Sequence, residues 1–248
     1  MSAGKIQHGG TVAAKSISAD YQTPRSFTFS ASPGKKTTTF SLLLSMKYAY
    51  LALGDSYTIG EQVAIADSFP YQTVQLMRKA GLNCCAPEII ATTGWATNEL
   101  KKAIDEQVLL ATYDFASLLI GVNNQYQGRS IEEFRLHFRL LLEMALERVD
   151  GKPDRLVVLS IPDWGVTPYA RDKSPEKVRS EIDIYNFICQ AEANHFQTRF
   201  INITDTQRLD GHQAAYLASD QLHPSGLEYA KWAARVSAAF METVNHPG

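Results

Sequence analysis

Tyr48-Ala49-Tyr50-Leu51-Ala52-Leu53-Gly54-Asp55-Ser56-Tyr57 is the stretch on which the reading of this chain turns. A short, continuous apolar run closed by glycine predicts a strand over 48–53 that is buried on both faces. It delivers a serine at its carboxyl end. Far downstream, Asp220-Gln221-Leu222-His223-Pro224 places a carboxylate three residues before a histidine. A serine hydroxyl is a poor nucleophile until a base takes its proton. A histidine serves best when a carboxylate fixes its tautomer and steadies the imidazolium that forms. A fold that joins these two segments makes a serine hydrolase.

Outward from that strand, strand-like and helix-like segments alternate. Helices are predicted over 68–80, ended by Gly81, and over 97–107, and strands over 89–91 and 115–120. Residues 130–149 carry the best helical pattern, with Ile131, Phe134, Phe138, Leu141, Leu142, Ala145 and Val149 on one face. A strand over 156–161 precedes a helix over 175–195 that opens on Pro175. A strand over 200–203 follows, and then a helix over 227–244, where Ser225 and Glu228 fit an S-x-x-E capping box. Apolar strands separated by helices imply one α/β domain, three layers α/β/α, around a mainly parallel sheet of about five strands. No internal repeat is visible.

Composition narrows the function. The 248 residues carry a formal net charge of −2, which gives no overall sign of a nucleic-acid partner. The charge is uneven: in residues 1–45, Lys5, Lys15, Arg25, Lys35 and Lys36 face the single acid Asp20. That leader is rich in Ser and Thr, poor in large apolar residues and without period, so it is expected to be disordered. Three origins fit it: a disordered tail, a transit segment, or sequence upstream of a true start at Met46. Localisation is left open by these alternatives. No apolar run approaches the length of a membrane span. Cys84, Cys85 and Cys189 make an odd set that predicts reduced, buried thiols rather than a disulfide framework. The remaining histidines, His8, His137, His195, His212 and His246, show no metal spacing, and no metal or other cofactor is expected.

In such sheets ligands bind beyond the carboxyl ends of the strands, and the chemically suggestive residues gather there. Ser56 follows the first strand, Gly94 the second, Asn123 the third and Trp164 the fourth, with Asp220 and His223 after the fifth. In that order the chain resembles the SGNH or GDSL hydrolases over roughly residues 46–245. Gly54-Asp55-Ser56 matches the family's G-D-S-L block, with Tyr57 in place of Leu. Gly94 matches the second-block glycine. Gly121-Val122-Asn123 matches G-x-N-D, with Asn124 in place of Asp, and Asp220 and His223 match D-x-x-H.

The resemblance implies a flavodoxin-like fold and ester hydrolysis of a small-molecule substrate without a cofactor. It makes Ser56 the nucleophile, His223 the general base and Asp220 its orienting partner. Ser56, Gly94 and Asn123 would supply the oxyanion hole. Each residue also has an ordinary structural duty: Ser56 as a helix N-cap, Asp220 as a solvated loop acid, Gly94 and Asn123 as turn residues. Asp55 is expected to brace the loop rather than to react. Trp95 and Trp164 could wall an acyl or alcohol pocket. Thioester hydrolysis, lysophospholipid hydrolysis and acyl transfer use the same site. A phosphate-binding loop over 56–60 and a non-catalytic carbohydrate-binding relative are the alternatives from other classes.

Overall fold

Within residues 47–246 the apolar runs form five strands, all parallel: β1 (Tyr50–Gly54), β2 (Glu88–Ala91), β3 (Phe115–Leu119), β4 (Leu156–Leu159) and β5 (Arg199–Ile201), in the order β2-β1-β3-β4-β5. This computed structural model describes residues 47–246, so the expectations for the leader over 1–45 lie outside the described residues. The three-layer α/β architecture expected from the alternation is the one found, and the strand order is that of flavodoxin-like sheets.

Among the described residues, eight α-helices accompany the strands: α1 (Ser56–Ile59), α2 (Phe69–Lys79), α3 (Thr97–Glu106), α4 (Val122–Tyr126), α5 (Ile131–Arg148), α6 (Pro175–His195), α7 (Thr204–Asp210) and α8 (Gly226–Asn245). Right-handed crossovers decide their faces. The chain steps one way from β1 to β2 and the other way from β2 through β3 and β4 to β5. So α2 joins α8 on one face, while α3, α5 and α6 pack in series on the other. On the first face Phe240 of α8 stacks on Phe115 at 4.6 Å between ring centroids and meets the edge of Tyr50 at 5.2 Å. On the second, Phe134, Phe138, Leu141, Leu142 and Ala145 form the buried stripe of α5 read from the sequence. Burying side chains of this size contributes roughly 1.5–3 kcal/mol each.

Four expectations need correction. The first strand begins at Tyr50 rather than 48; Tyr48 makes only an isolated parallel bridge to Cys84. The fifth strand ends at Ile201, because the Ser160 hydroxyl accepts the N–H groups of Ile203 and Thr204 and turns the chain into α7. The capping box at Ser225 is not made: the Ser225 hydroxyl donates to Ala215 O, and Glu228 is taken by Trp232 Nε1 and Lys231. Cys84 and Cys189 are buried thiols, but Cys85 is exposed.

Candidate active site

The strand order reverses beside β1, between β1 and β3, the position at whose carboxyl edge open α/β sheets bind ligands. Gly54 makes the first turn possible through space rather than dihedral freedom. A Cβ there would lie 2.1 Å from Thr58 Oγ1 and 2.4 Å from Leu119 O. The next residue, Asp55, is the N-cap of α1, and its Oδ1 accepts the Tyr57 N–H at 3.0 Å. Capping therefore falls to Asp55, and Ser56 is left at the first helical position with its hydroxyl free for other work. Asp55 is 1 % exposed, and that burial pushes its carboxyl up to about 7 against the lowering effect of the Tyr57 N–H.

The loop after α7 brings the other half. Gln221 adopts a left-handed φ of 60°, which curls the segment so that Asp220 Oδ1 accepts both the Leu222 and the His223 N–H at 3.0 Å. The second oxygen, Asp220 Oδ2, lies 2.6 Å from His223 Nδ1. The opposite ring nitrogen, Nε2, lies 3.0 Å from Ser56 Oγ. Partial burial alone would raise the Asp220 carboxyl, but the hydrogen bonds from the His223 ring and the two N–H groups outweigh it and hold it below the usual carboxylate range. Ser56, His223 and Asp220, separated by up to 167 residues in sequence, thus form one hydrogen-bonded line.

The other sequence-marked residues border this line. Gly94 sits at φ +83°, and a Cβ there would meet nothing within 4 Å, so its backbone shape rather than lack of room requires glycine. Thr93 hydrogen-bonds to Glu61, which ties the loop after β2 to the loop after α1. Asn123 Nδ2 donates to Trp95 O at 2.9 Å, tying the same loop to the end of β3. Asn124, the departure from the family pattern, is fully buried: its Oδ1 accepts the Thr97 N–H and its Nδ2 donates to Thr97 Oγ1, so it caps the start of α3 from the neighbouring α4. Trp95 is half-buried on the rim. Trp164 is 5 % exposed, its indole N–H given to Gln125 Oε1. Above it stand Tyr126 and Tyr169, which are exposed.

Sequence reading missed the support beneath the histidine. Tyr57, where the family has Leu, packs its ring 5.1 Å from the His223 ring and is backed by Trp232 of α8. The signal was present as an aromatic adjacent to the serine, but its partner is fixed only by the docking of α8. Asp163 is fully buried, accepts the Gly165 N–H and pairs with Arg208, so it belongs to a separate ionic cluster.

Residues 52–231 match the GDSL-like Lipase/Acylhydrolase family. The chain belongs to that family. Comparison with curated protein sequences finds no match. Among solved structures, this GDSL-family chain is similar to an acetylxylan esterase from Geobacillus stearothermophilus, with 19 % identity over 78 % of this chain and 94 % of that one, at a TM-score of 0.62. It is similar to TesA, with 12 % identity over 78 % and 98 % of the two chains, at 0.63. A lipase/acylhydrolase from Enterococcus faecalis shows 19 % identity over 77 % and 94 %, at 0.60. The protein is an ester hydrolase of the GDSL family. Among the described residues no helix is long and apolar enough to cross a membrane.

Proposed function

We propose that this GDSL hydrolase cleaves small carboxylic esters through an acyl-Ser56 intermediate, with Ser56, His223 and Asp220 as a catalytic triad. The observation that carries the reading is the unbroken line Ser56 Oγ–His223 Nε2–His223 Nδ1–Asp220 Oδ2, at 3.0 Å and 2.6 Å. In it, Ser56 Oγ attacks the acyl carbonyl while its proton passes to His223 Nε2. Asp220 holds the far N–H and stabilises the imidazolium. The carbonyl oxygen becomes an oxyanion, for which the Ser56 and Gly94 N–H groups and Asn123 Nδ2 are the donors. One Nδ2 hydrogen of Asn123 is engaged by Trp95 O, which aims the amide and leaves its second hydrogen for the oxyanion. Collapse expels the alcohol, which takes the proton from His223. Water then repeats the sequence on the acyl-enzyme and releases the acid. No step in this scheme calls on a cofactor.

Ser56→Ala is expected to lower turnover of p-nitrophenyl acetate by roughly 10⁴–10⁶ and to abolish covalent labelling by a fluorophosphonate, with the melting temperature little changed. Retention of more than a tenth of wild-type turnover would remove Ser56 from the nucleophile's role. Running the p-nitrophenyl series from acetate to palmitate on the wild type would then fix the acyl length.

A further inference from the structure

Beside the triad, on the rim that carries its loop, lies a cation without an anion. Lys173 Nζ sits 3.6 Å from the ring centroid of Tyr169 and 5.6 Å from that of Tyr126. The two phenol oxygens are 3.4 Å apart. Both rings are exposed to solvent, at 39 % and 53 %, yet they are not loose, because buried Trp164 meets each ring edge-on. The segment itself is fixed by the Lys173 N–H to Ala170 O at 2.8 Å. Among the described residues no carboxylate lies within ion-pair distance of Lys173, although its neighbour Asp172 is exposed, and Lys101, Lys152 and Lys231 each have such a partner.

This group stands on a particular side of the reaction. The Tyr169 N–H donates to Gln221 O, inside the segment that presents His223. Tyr126 lies one helical turn beyond Asn123 on α4. In the mechanism above the departing alcohol oxygen takes its proton from His223, so the alcohol half of the ester leaves on the histidine side. Lysine already covers a face of Tyr169 and its ammonium is drawn to the phenol oxygens of Tyr169 and Tyr126, so ammonium and hydroxyls form one polar cluster whose remaining N–H and O–H donors face solvent. An ammonium flanked by phenol donors is complementary to an oxyanion.

We infer that Lys173, with Tyr169 and Tyr126, forms an alcohol-side subsite that selects esters whose leaving alcohol carries an anionic group. The assignment of side rests on the acyl-Ser56 reading; the anion preference rests on the lysine and the two tyrosines. Residues 46–248 carry a net negative charge, so the rest of the domain gives such a substrate no general attraction. Arg171, two residues earlier, is also exposed, but Lys173 is the cation held against the two tyrosines.

Three acetate esters test it: phenyl acetate, 4-carboxyphenyl acetate and 4-(trimethylammonio)phenyl acetate, each rate divided by that of its spontaneous hydrolysis. The wild type is expected to favour the anionic over the cationic ester. Lys173→Met is expected to close that spread by about two- to fivefold for each charged ester, the size of one solvent-exposed ion pair. Lys173→Arg is expected to restore it, and added salt to weaken it in the wild type. An unchanged spread in Lys173→Met overturns the proposal. A second arm is independent of turnover: 4-hydroxybenzoate, the alcohol product of the anionic ester, should bind the wild type more tightly than Lys173→Met by calorimetry, and equal binding overturns the anion subsite. If the wild type hydrolyses none of the three esters, the acyl-Ser56 reading falls, and the calorimetric arm still decides the anion.

Discussion

Asp220 divides its two oxygens between two tasks, and that division makes a sharp test at the scale of one residue. Its Oδ1 holds the backbone of the loop through Leu222 and His223, while its Oδ2 meets the imidazole. Asp220→Asn can keep the first task with its remaining carbonyl oxygen. It cannot perform the second, because an amide NH₂ does not accept from Nδ1–H and favours the wrong tautomer. The expected result is a kcat about 10⁴-fold lower in a protein that still folds, with a modest loss of melting temperature at neutral pH from the missing carboxylate. Activity within tenfold of wild type would sink the triad assignment. The residues of this line were legible in the sequence because a D-x-x-H spacing is a local fact. The left-handed Gln221 that aims them was not, since nothing about glutamine announces a positive φ. Nor was Tyr57 beneath the ring, whose contact depends on α8. The motif thus named the groups that form the hydrogen-bonded line and was silent on what holds them still.

At the scale of elements, the β1–α1 junction is the tightest point near the site. Gly54→Ala would drive a methyl into Leu119 O, a carbonyl fixed in the next strand, and into Thr58 on the helix that carries Ser56. Neither neighbour can yield without moving β3 or α1. The variant is expected to lose on the order of 1–3 kcal/mol of stability, read from the urea midpoint, and to lose ester turnover with it. A variant of wild-type stability would mean that the junction relaxes freely. Element legibility followed length. The five long helices, α2, α3, α5, α6 and α8, announced themselves because a 3.6-residue period needs several turns to show. α1, α4 and α7 have at most seven residues and were not separable from loop. Strand ends moved for a similar reason: the apolar run at 48–53 could not say that Tyr48 and Ala49 precede the sheet, and Ile203 reads as strand although Ser160 bends it into a helix. The capping box at Ser225 failed because Ala215 O in the preceding loop takes the hydroxyl, while Lys231 and Trp232, the next turn of the same helix, take the Glu228 carboxylate.

For the described domain, alternation of strands and helices was enough to specify three layers, but the reversal of strand order beside β1 had to come from the sheet itself. The burial of Asp55 next to Ser56 has a cost that can be measured globally. Asp55 is buried beside Ser56, and its carboxyl is raised from an ordinary 3.8 to about 7. The folded state therefore holds this proton more tightly than the unfolded chain does. Its contribution is fully present below pH 3.8 and is lost as pH rises toward about 7, above which the ionised group opposes folding. Asp220 runs the other way: its lowered carboxyl adds stability above the ordinary carboxylate range, which is lost on acidification. The two signs are separable by one substitution. Asp55→Asn keeps an oxygen for the Tyr57 N–H but cannot ionise, so any constant packing penalty cancels when the same pair of proteins is compared across pH. Relative to the variant, the wild type is expected to weaken by a few kcal/mol between about pH 4 and pH 8, since each tenfold change in proton affinity on folding is worth about 1.4 kcal/mol. In a domain of this size that is a relative fall in melting temperature of about 2–4 °C for each kcal/mol. Parallel melting curves for the two proteins, with no divergence over that range, would show that the Asp55 carboxyl ionises freely beside Ser56 and that its burial is relieved by a path for water.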